Sequence, residues 1–219
     1  MNKKYMNFGF GLALCGLLTA FLLYGIYVVF AEENQQQIYE GTQEQESFSF
    51  AVKGQASFMN TQGEEIGTAQ LEENANGVLI RINVSNLPGG YHAIHIHERG
   101  NCTPRYDDNT QADEPGTPVA YFSNAGSHLN PGEKEHGLLS EEGPHAGDLT
   151  NIHVNADGTA EAQLFNDRVT LQSDNQQGLA NLLDDDGAAL IIHSGTDDYK
   201  TSPTGRAGDR LACAIIEGS

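Results

Sequence analysis

The feature that most restricts what this chain can fold into is a two-residue period in its apolar side chains. Val78, Ile80, Ile82 and Val84 alternate with Leu79, Arg81, Asn83 and Ser85, and Phe48, Phe50 and Val52 alternate with Ser47, Ser49 and Ala51. Successive side chains of a strand point to opposite faces, so this pattern predicts strands with one buried face. Shorter runs of the same kind lie at 91–97, 151–155, 159–165, 168–171, 188–193 and 211–216. Turn pairs separate several of them: Asn76-Gly77, Pro88-Gly89-Gly90, Asp157-Gly158 and Asp186-Gly187. Some eight short strands without a long amphipathic helix between them predict an all-β antiparallel sandwich or barrel. A short helical piece is expected over 174–183.

Residues 98–150 and 194–209 interrupt this rhythm. They are rich in Gly, Pro, Asp and His, and loops of such length inside a compact domain are usually functional.

The amino terminus bears on location. Lys3 and Lys4 precede an uncharged stretch from Tyr5 to Ala31, and Glu32 and Glu33 close it. Basic residues before an apolar run direct export with the amino end inside. The run is longer than a signal-peptide core and reaches the roughly 20 residues of a membrane-spanning helix. The favoured reading is a retained hydrophobic helix over residues 1–31 that anchors an extracytoplasmic, cell-surface protein. Cleavage after Ala31, giving a secreted protein, is the alternative. Lipidation of Cys15 is a third, disfavoured because Leu14 is large for a lipobox. Residues 32–46 are polar and aperiodic, a tether leading to a domain at 47–219.

Composition then excludes two partners. With 11 basic and 30 acidic residues the net charge is −19, which opposes binding to nucleic acid or docking on an anionic membrane surface. In an exported domain Cys102 and Cys213 suggest one disulfide, closing a loop worth at most ~4–5 kcal/mol in the chain-entropy account. Two unpaired buried cysteines are the alternative.

Most of the eight histidines fall in or beside the two long loops. His95 and His97 sit two apart on an expected strand, so both project from one face and can share a metal while Ile96 enters the core. That pattern alone also fits two ordinary surface histidines. His128, His136, His145 and Asp148 have separations of 8, 9 and 3, and three imidazoles with one carboxylate make a closed zinc site. A polar loop that merely contains histidines is the competing reading. His193 ends the apolar run 188–192, where a strand can deliver a side chain to a site.

Taken together, HAIHIHE (92–98), AGSHLNP (125–131), EHG (135–137), PHAGDL (144–149), LIIHSG (190–195) and GDRLAC (208–213) resemble the copper/zinc superoxide dismutases. The likeness covers roughly residues 47–217. It implies an eight-stranded Greek-key sandwich or barrel with long metal-binding loops outside the sheets. It implies copper on His95, His97, His128 and His193, and zinc on His128, His136, His145 and Asp148, with His128 bridging the two metals. Asp197 matches an aspartate that links the sites from behind, and Cys102 and Cys213 match an intrasubunit disulfide. Arg210 matches an arginine that guides the anionic substrate. His92 matches a structural histidine near the disulfide loop, and His153 reads as solvent-facing.

The implied function is conversion of superoxide to O2 and H2O2 by cycling of Cu(II) and Cu(I), with His128 taking and releasing a proton. Residues 32–219 carry 9 basic and 30 acidic residues, yet bound metals and Arg210 can focus an anion locally. Lys200 and Arg206 either add to that field or are solvated loop charges.

Cys102 and His128 lie 26 residues apart, further than in the eukaryotic enzymes, and this acidic insert looks like the bacterial secreted type. Because that loop contributes to the eukaryotic subunit contact, a homodimer stays open. Two other classes compete: a copper-free, zinc-stabilised scaffold and a copper-transfer protein. The presence of every implied copper ligand argues against the first. Against the second stand Arg210, which it would not use, and the lack of free thiolates for Cu(I).

Overall fold

The computed structural model describes residues 52–105, 120–172 and 178–219. The expected anchor (1–31), the tether (32–46), the segment 47–51 and most of the acidic insert lie outside the described residues.

Twelve strands occur among the described residues. They are β1 (Val52–Asn60), β2 (Glu65–Asn74), β3 (Gly77–Val84), β4 (Gly90–His92), β5 (Ile94–His97), β6 (Ile152–Val154), β7 (Ala160–Asn166), β8 (Val169–Thr170), β9 (Ala180–Asn181), β10 (Ala189–His193), β11 (Arg210–Ile215) and β12 (Glu217–Gly218). The main sheet is antiparallel and runs β5-β10-β11-β1-β2-β3-β7, with β12 beside β1. A separate antiparallel pair joins β4 to β6. The all-β reading holds.

The period-two signal is realised most plainly in β3. Val78, Ile80, Ile82 and Val84 are buried while Asn83 is exposed. Together with Phe58, Leu71, Ile94, Ile96, Leu164, Leu190, Ile192 and Ile216 they form one apolar core. Burying each such side chain contributes roughly 1.5–3 kcal/mol.

Two local expectations need correction. Strand β2 has no counterpart among the segments read from the sequence. A register shift opposite Phe58 and Met59 places its buried residues at Ile66, Ala69 and Leu71, so the alternation slips by one position. Such a slip hides a strand from a period-two reading. The helical piece expected over 174–183 is also not found in its described part. There Ala180–Asn181 pairs in parallel with β8, Leu182 N–H donates to Thr170 O at 2.9 Å, and the Asn181 side chain accepts from Leu183 N–H at 3.0 Å. The remainder of that piece lies outside the described residues.

Strand β10 is buried on both faces. Leu190 and Ile192 enter the main core, whereas Ala189 and Ile191 meet Phe122, Ala125 and Cys213 under the loop that follows β5. Cys102 and Cys213 are disulfide-bonded, which ties this loop to β11.

Candidate metal centre

Three strand residues begin the site. Ile94 and Ile96 fill the core, so the pleat turns His95 and His97 to the opposite face, where both are almost completely buried. Strand β10 pairs antiparallel with β5, His95 opposite Ile191, and delivers His193 at its end. The free edge of β5 is then taken by the long loop. Leu129 N–H donates to Ile96 O and Ile96 N–H donates to Gly147 O, each at 2.9 Å. His97 thereby faces His128, and His95 faces Asp148, as single antiparallel bridges.

The ring tautomers follow from partners that can only accept. His97 Nδ1 donates to Gly126 O at 3.0 Å, His193 Nδ1 to Gly208 O at 3.3 Å, and His95 Nε2 to Asp197 Oδ2 at 2.8 Å. Each ring is left with one lone pair. Those nitrogens, His95 Nδ1, His97 Nε2 and His193 Nε2, together with His128 Nε2, are the buried side-chain polar atoms without a hydrogen-bond partner among the described residues. The four histidines can present donors that all lie within 4.8 Å of one another. Four converging unpartnered imidazole nitrogens in a dry site would be costly unless a cation takes their lone pairs.

A second group adjoins the first through His128. Its Nδ1 is 3.0 Å from Asp148 Oδ1, and the Nδ1 atoms of His136 and His145 are each 3.1 Å from the same oxygen. His145 and His128 bring their Nδ1 atoms to 3.4 Å of each other. Donors about 2.0–2.1 Å from a tetrahedral zinc are separated by about 3.3 Å, so the spacing fits that ion. His95 in place of His145 also gives a compact set. However, His95 commits Nε2 to Asp197, and His145 approaches Asp148 directly, so His145 is the better fourth donor. Backbone N–H groups of Gly137 and His145 hold the other carboxylate oxygen of Asp148 at 2.8 and 3.0 Å.

Asp197 spans the two groups. It accepts from His95 Nε2 at 2.8 Å and from His136 Nε2 at 3.0 Å, so one buried carboxylate orients one ring in each.

Charge follows the same division. Burial, reinforced by neighbouring imidazoles, lowers His128 to about 4 and His193 to about 3, and it holds His97 well below the ordinary histidine range. These rings are neutral, the form that ligates metal. For His136 burial opposes protonation, but hydrogen bonds to Asp148 and Asp197 outweigh it and raise the ring to about 9. Burial likewise opposes ionisation of Asp148 and Asp197, and the imidazole hydrogen bonds overcome it, keeping both carboxylates below their usual range. A cation in the second group would therefore displace a proton from His136.

A cleft of about 490 Å³ opens over the first group, with His97, His128, His193 and Arg210 among its walls. Arg210 Nη1 and Nη2 donate to Phe122 O at 2.5 Å and Gly126 O at 2.6 Å, which fixes the half-buried guanidinium beside the rings.

A family model described as copper/zinc superoxide dismutase matches residues 65–216. The chain belongs to the copper/zinc superoxide dismutase family. It is 44% identical over 171 residues to superoxide dismutase [Cu-Zn] 2 of Aquifex aeolicus, covering 78% of this chain and 90% of that protein. It is 35% identical to the superoxide dismutase-like protein YojM of Bacillus subtilis, covering 74% of each. Among solved structures, the Cu/Zn superoxide dismutase from Brucella abortus aligns with a TM-score of 0.59 at 28% identity, covering 75% of this chain and all of that one. The family is one of copper- and zinc-binding oxidoreductases, and the two donor groups suit that pair of metals.

Of the residues singled out from sequence, His95, His97, His128, His136, His145, Asp148, His193, Asp197 and Arg210 all meet here. His92 stands apart from both donor groups. Its Nδ1 lies 2.7 Å from His193 O and its Nε2 lies 2.8 Å from Pro88 O, so it steadies the backbone of a site residue. His153 is exposed and packs edge-on against Tyr91. Lys200 and Arg206 are exposed and outside the cleft walls, with Arg206 Nε 3.8 Å from Asp198 Oδ2.

Sequence reasoning missed Asn151 and Tyr199. The Asn151 side chain accepts from Asp197 N–H at 2.9 Å and donates to Asp197 O at 3.0 Å, and Asn151 also donates to the Tyr199 hydroxyl. They lie 48 positions apart, and no local pattern marks such a pair.

Proposed function

We propose that this protein is an extracytoplasmic superoxide dismutase, converting two superoxide anions and two protons to O2 and H2O2. The observation that carries the reading is the set of four buried nitrogens left unpartnered on His95, His97, His128 and His193 beside a three-histidine, one-aspartate group. His95, His97, His128 and His193 would hold copper, and His128, His136, His145 and Asp148 would hold zinc. Copper cycling between Cu(II) and Cu(I) would supply the one-electron chemistry.

The chain's own residues account for the rest. Arg210, fixed by two carbonyls on the cleft wall, attracts the anion and offsets the acidic surface. Buried, neutral imidazoles keep the donor side free of competing protons. His128 is the one ring shared by both groups, so it is the residue placed to take a proton on Nε2 and pass it to reduced oxygen. Asp197 holds the rings of His95 and His136 in the tautomers this needs.

The location rests on the amino-terminal sequence and is supported by the disulfide, which persists in oxidising compartments. The long apolar stretch is proposed to remain as a membrane anchor.

The test is superoxide removal by the purified chain, stripped of metal and reloaded with zinc alone or with zinc and copper. Rapid, cyanide-sensitive turnover is expected only after copper loading. Copper binding without turnover would instead favour metal transfer, and failure to bind copper would favour a zinc-stabilised scaffold.

A further inference from the structure

The turn at 145–148 supplies two members of the zinc group, and it lies in a loop with few ladder hydrogen bonds. Its backbone is nevertheless held at every carbonyl. His145 O accepts from Arg168 Nε at 3.3 Å, and Asp148 O accepts from Arg168 Nη2 at 2.7 Å. Ala146 O accepts from Asn166 Nδ2 at 2.8 Å, and Gly147 O accepts from Ile96 N–H at 2.9 Å. Three of the four carbonyls are thus taken by two side chains at the end of β7.

Those side chains act as one unit. Asn166 is fully buried, and its Oδ1 accepts from Arg168 N–H at 2.8 Å. The guanidinium is also braced by Asp167, whose Oδ1 lies 3.0 Å from Nη1. Behind them, β7 pairs with β3 over seven residues, so the clamp is rooted in the main sheet.

We infer that Asn166 and Arg168 are positioning residues for the zinc ligands His145 and Asp148. The inference rests on the reading that these two residues hold zinc. A planar guanidinium that bridges two carbonyls three residues apart fixes the spacing between them. It thereby fixes the approach of His145 Nδ1 to Asp148 Oδ1, which stand 3.1 Å apart on the donor side of the same turn. A lysine has three donors but all on one nitrogen, so it lacks the fixed planar spacing between Nε and Nη2 that sets the distance between the two carbonyls. Partners of this kind behind a ligand commonly change metal affinity by about 10–100-fold.

The test compares the unaltered holoprotein with Arg168→Met, Arg168→Lys and Asn166→Asp. Four quantities are measured: zinc release to a chelator, copper retention, the visible spectrum of cobalt(II) placed in the zinc position, and the melting temperature of the metal-free protein. Arg168→Met is expected to release zinc about tenfold faster with a shifted cobalt spectrum. Arg168→Lys should fall between it and the unaltered protein, while copper retention and metal-free melting stay unchanged. Asn166→Asp should reproduce the faster zinc release, because it sets an acceptor against Ala146 O. Unchanged zinc release with an unchanged spectrum would overturn the inference. So would parallel losses of zinc, copper and metal-free stability, which would make Arg168 a general stabiliser. Failure of the unaltered protein to bind zinc would overturn both this inference and the ligand reading beneath it.

Discussion

The two halves of the metal centre are built by different means. His95, His97 and His193 stand on β5 and β10, whose ladder hydrogen bonds and two-sided burial set their directions before any metal arrives. His128, His136, His145 and Asp148 stand on the loop after β5. Single backbone bridges to β5 place His128 and Asp148, and side-chain hydrogen bonds converging on Asp148 and Asp197 set the ring directions. The strand half is preorganised by ladder hydrogen bonds, and the loop half leans on side-chain contacts that a bound cation would reinforce. A zinc ion is suited to that second task, since it has no redox chemistry and can contribute folding energy outright.

This contrast can be broken most directly by removing zinc. Amide exchange at Glu135, Gly137 and Leu139 should accelerate by at least about 100-fold, while Ile82 and Ile191 in the strands keep their protection. Equal loosening of both regions, followed by hydrogen exchange, would abolish the distinction.

Gly205→Ala should have the next largest effect. Gly205 sits at φ +63°, and a Cβ there would lie 1.8 Å from Asp197 Oδ1 and 2.6 Å from His136 Nε2. Asp197 must move, at a cost of roughly 1–3 kcal/mol. Zinc affinity, measured by chelator competition, should fall about tenfold, and copper binding by the strand histidines should fall less.

The pH dependence of the metal-free protein sharpens the comparison. His97, His128 and His193 have folded values below the unfolded 6.5, so the unfolded chain takes up protons first and stability is lost as pH falls from 6.5. Asp148 and Asp197 add to that loss below about 4. His136, raised to about 9, contributes fully below 6.5 and loses its contribution as pH rises through 9. Thermal melting should therefore peak near pH 6.5 and fall by roughly 5–10 °C toward pH 4. Melting that is flat from pH 4 to 9 would contradict these proton affinities. The smallest effect is expected for Arg210→Ile, a dismutation rate several-fold lower with a flatter salt dependence, measured by stopped flow across ionic strengths. An unchanged rate would remove the steering role.

Much of the site was legible in the sequence because its signals are local. The spacing of His95 and His97 declares one strand face, and the separations among His128, His136, His145 and Asp148 fit a closed ligand set that the resemblance of the surrounding motifs then singles out. Likewise, the β3 alternation survived intact because Val78, Ile80, Ile82 and Val84 face one continuous core. Strand β2 did not, because a register shift displaces its buried residues. Asn151, Asn166 and Arg168 were equally hidden, since a side chain that serves a distant backbone carbonyl needs no pattern around itself.

By itself, then, the sequence determined an all-β domain and marked the histidines and aspartates that the fold gathers into two buried groups, because strand period and short motifs are written in local stretches. Tertiary structure alone decided which nitrogen of each ring is free and which carboxylate links the two groups. It also decided which side chains clamp the zinc turn. Those are questions of who faces whom across separations of 15 to 102 residues, and only the folded chain brings such partners within hydrogen-bond distance.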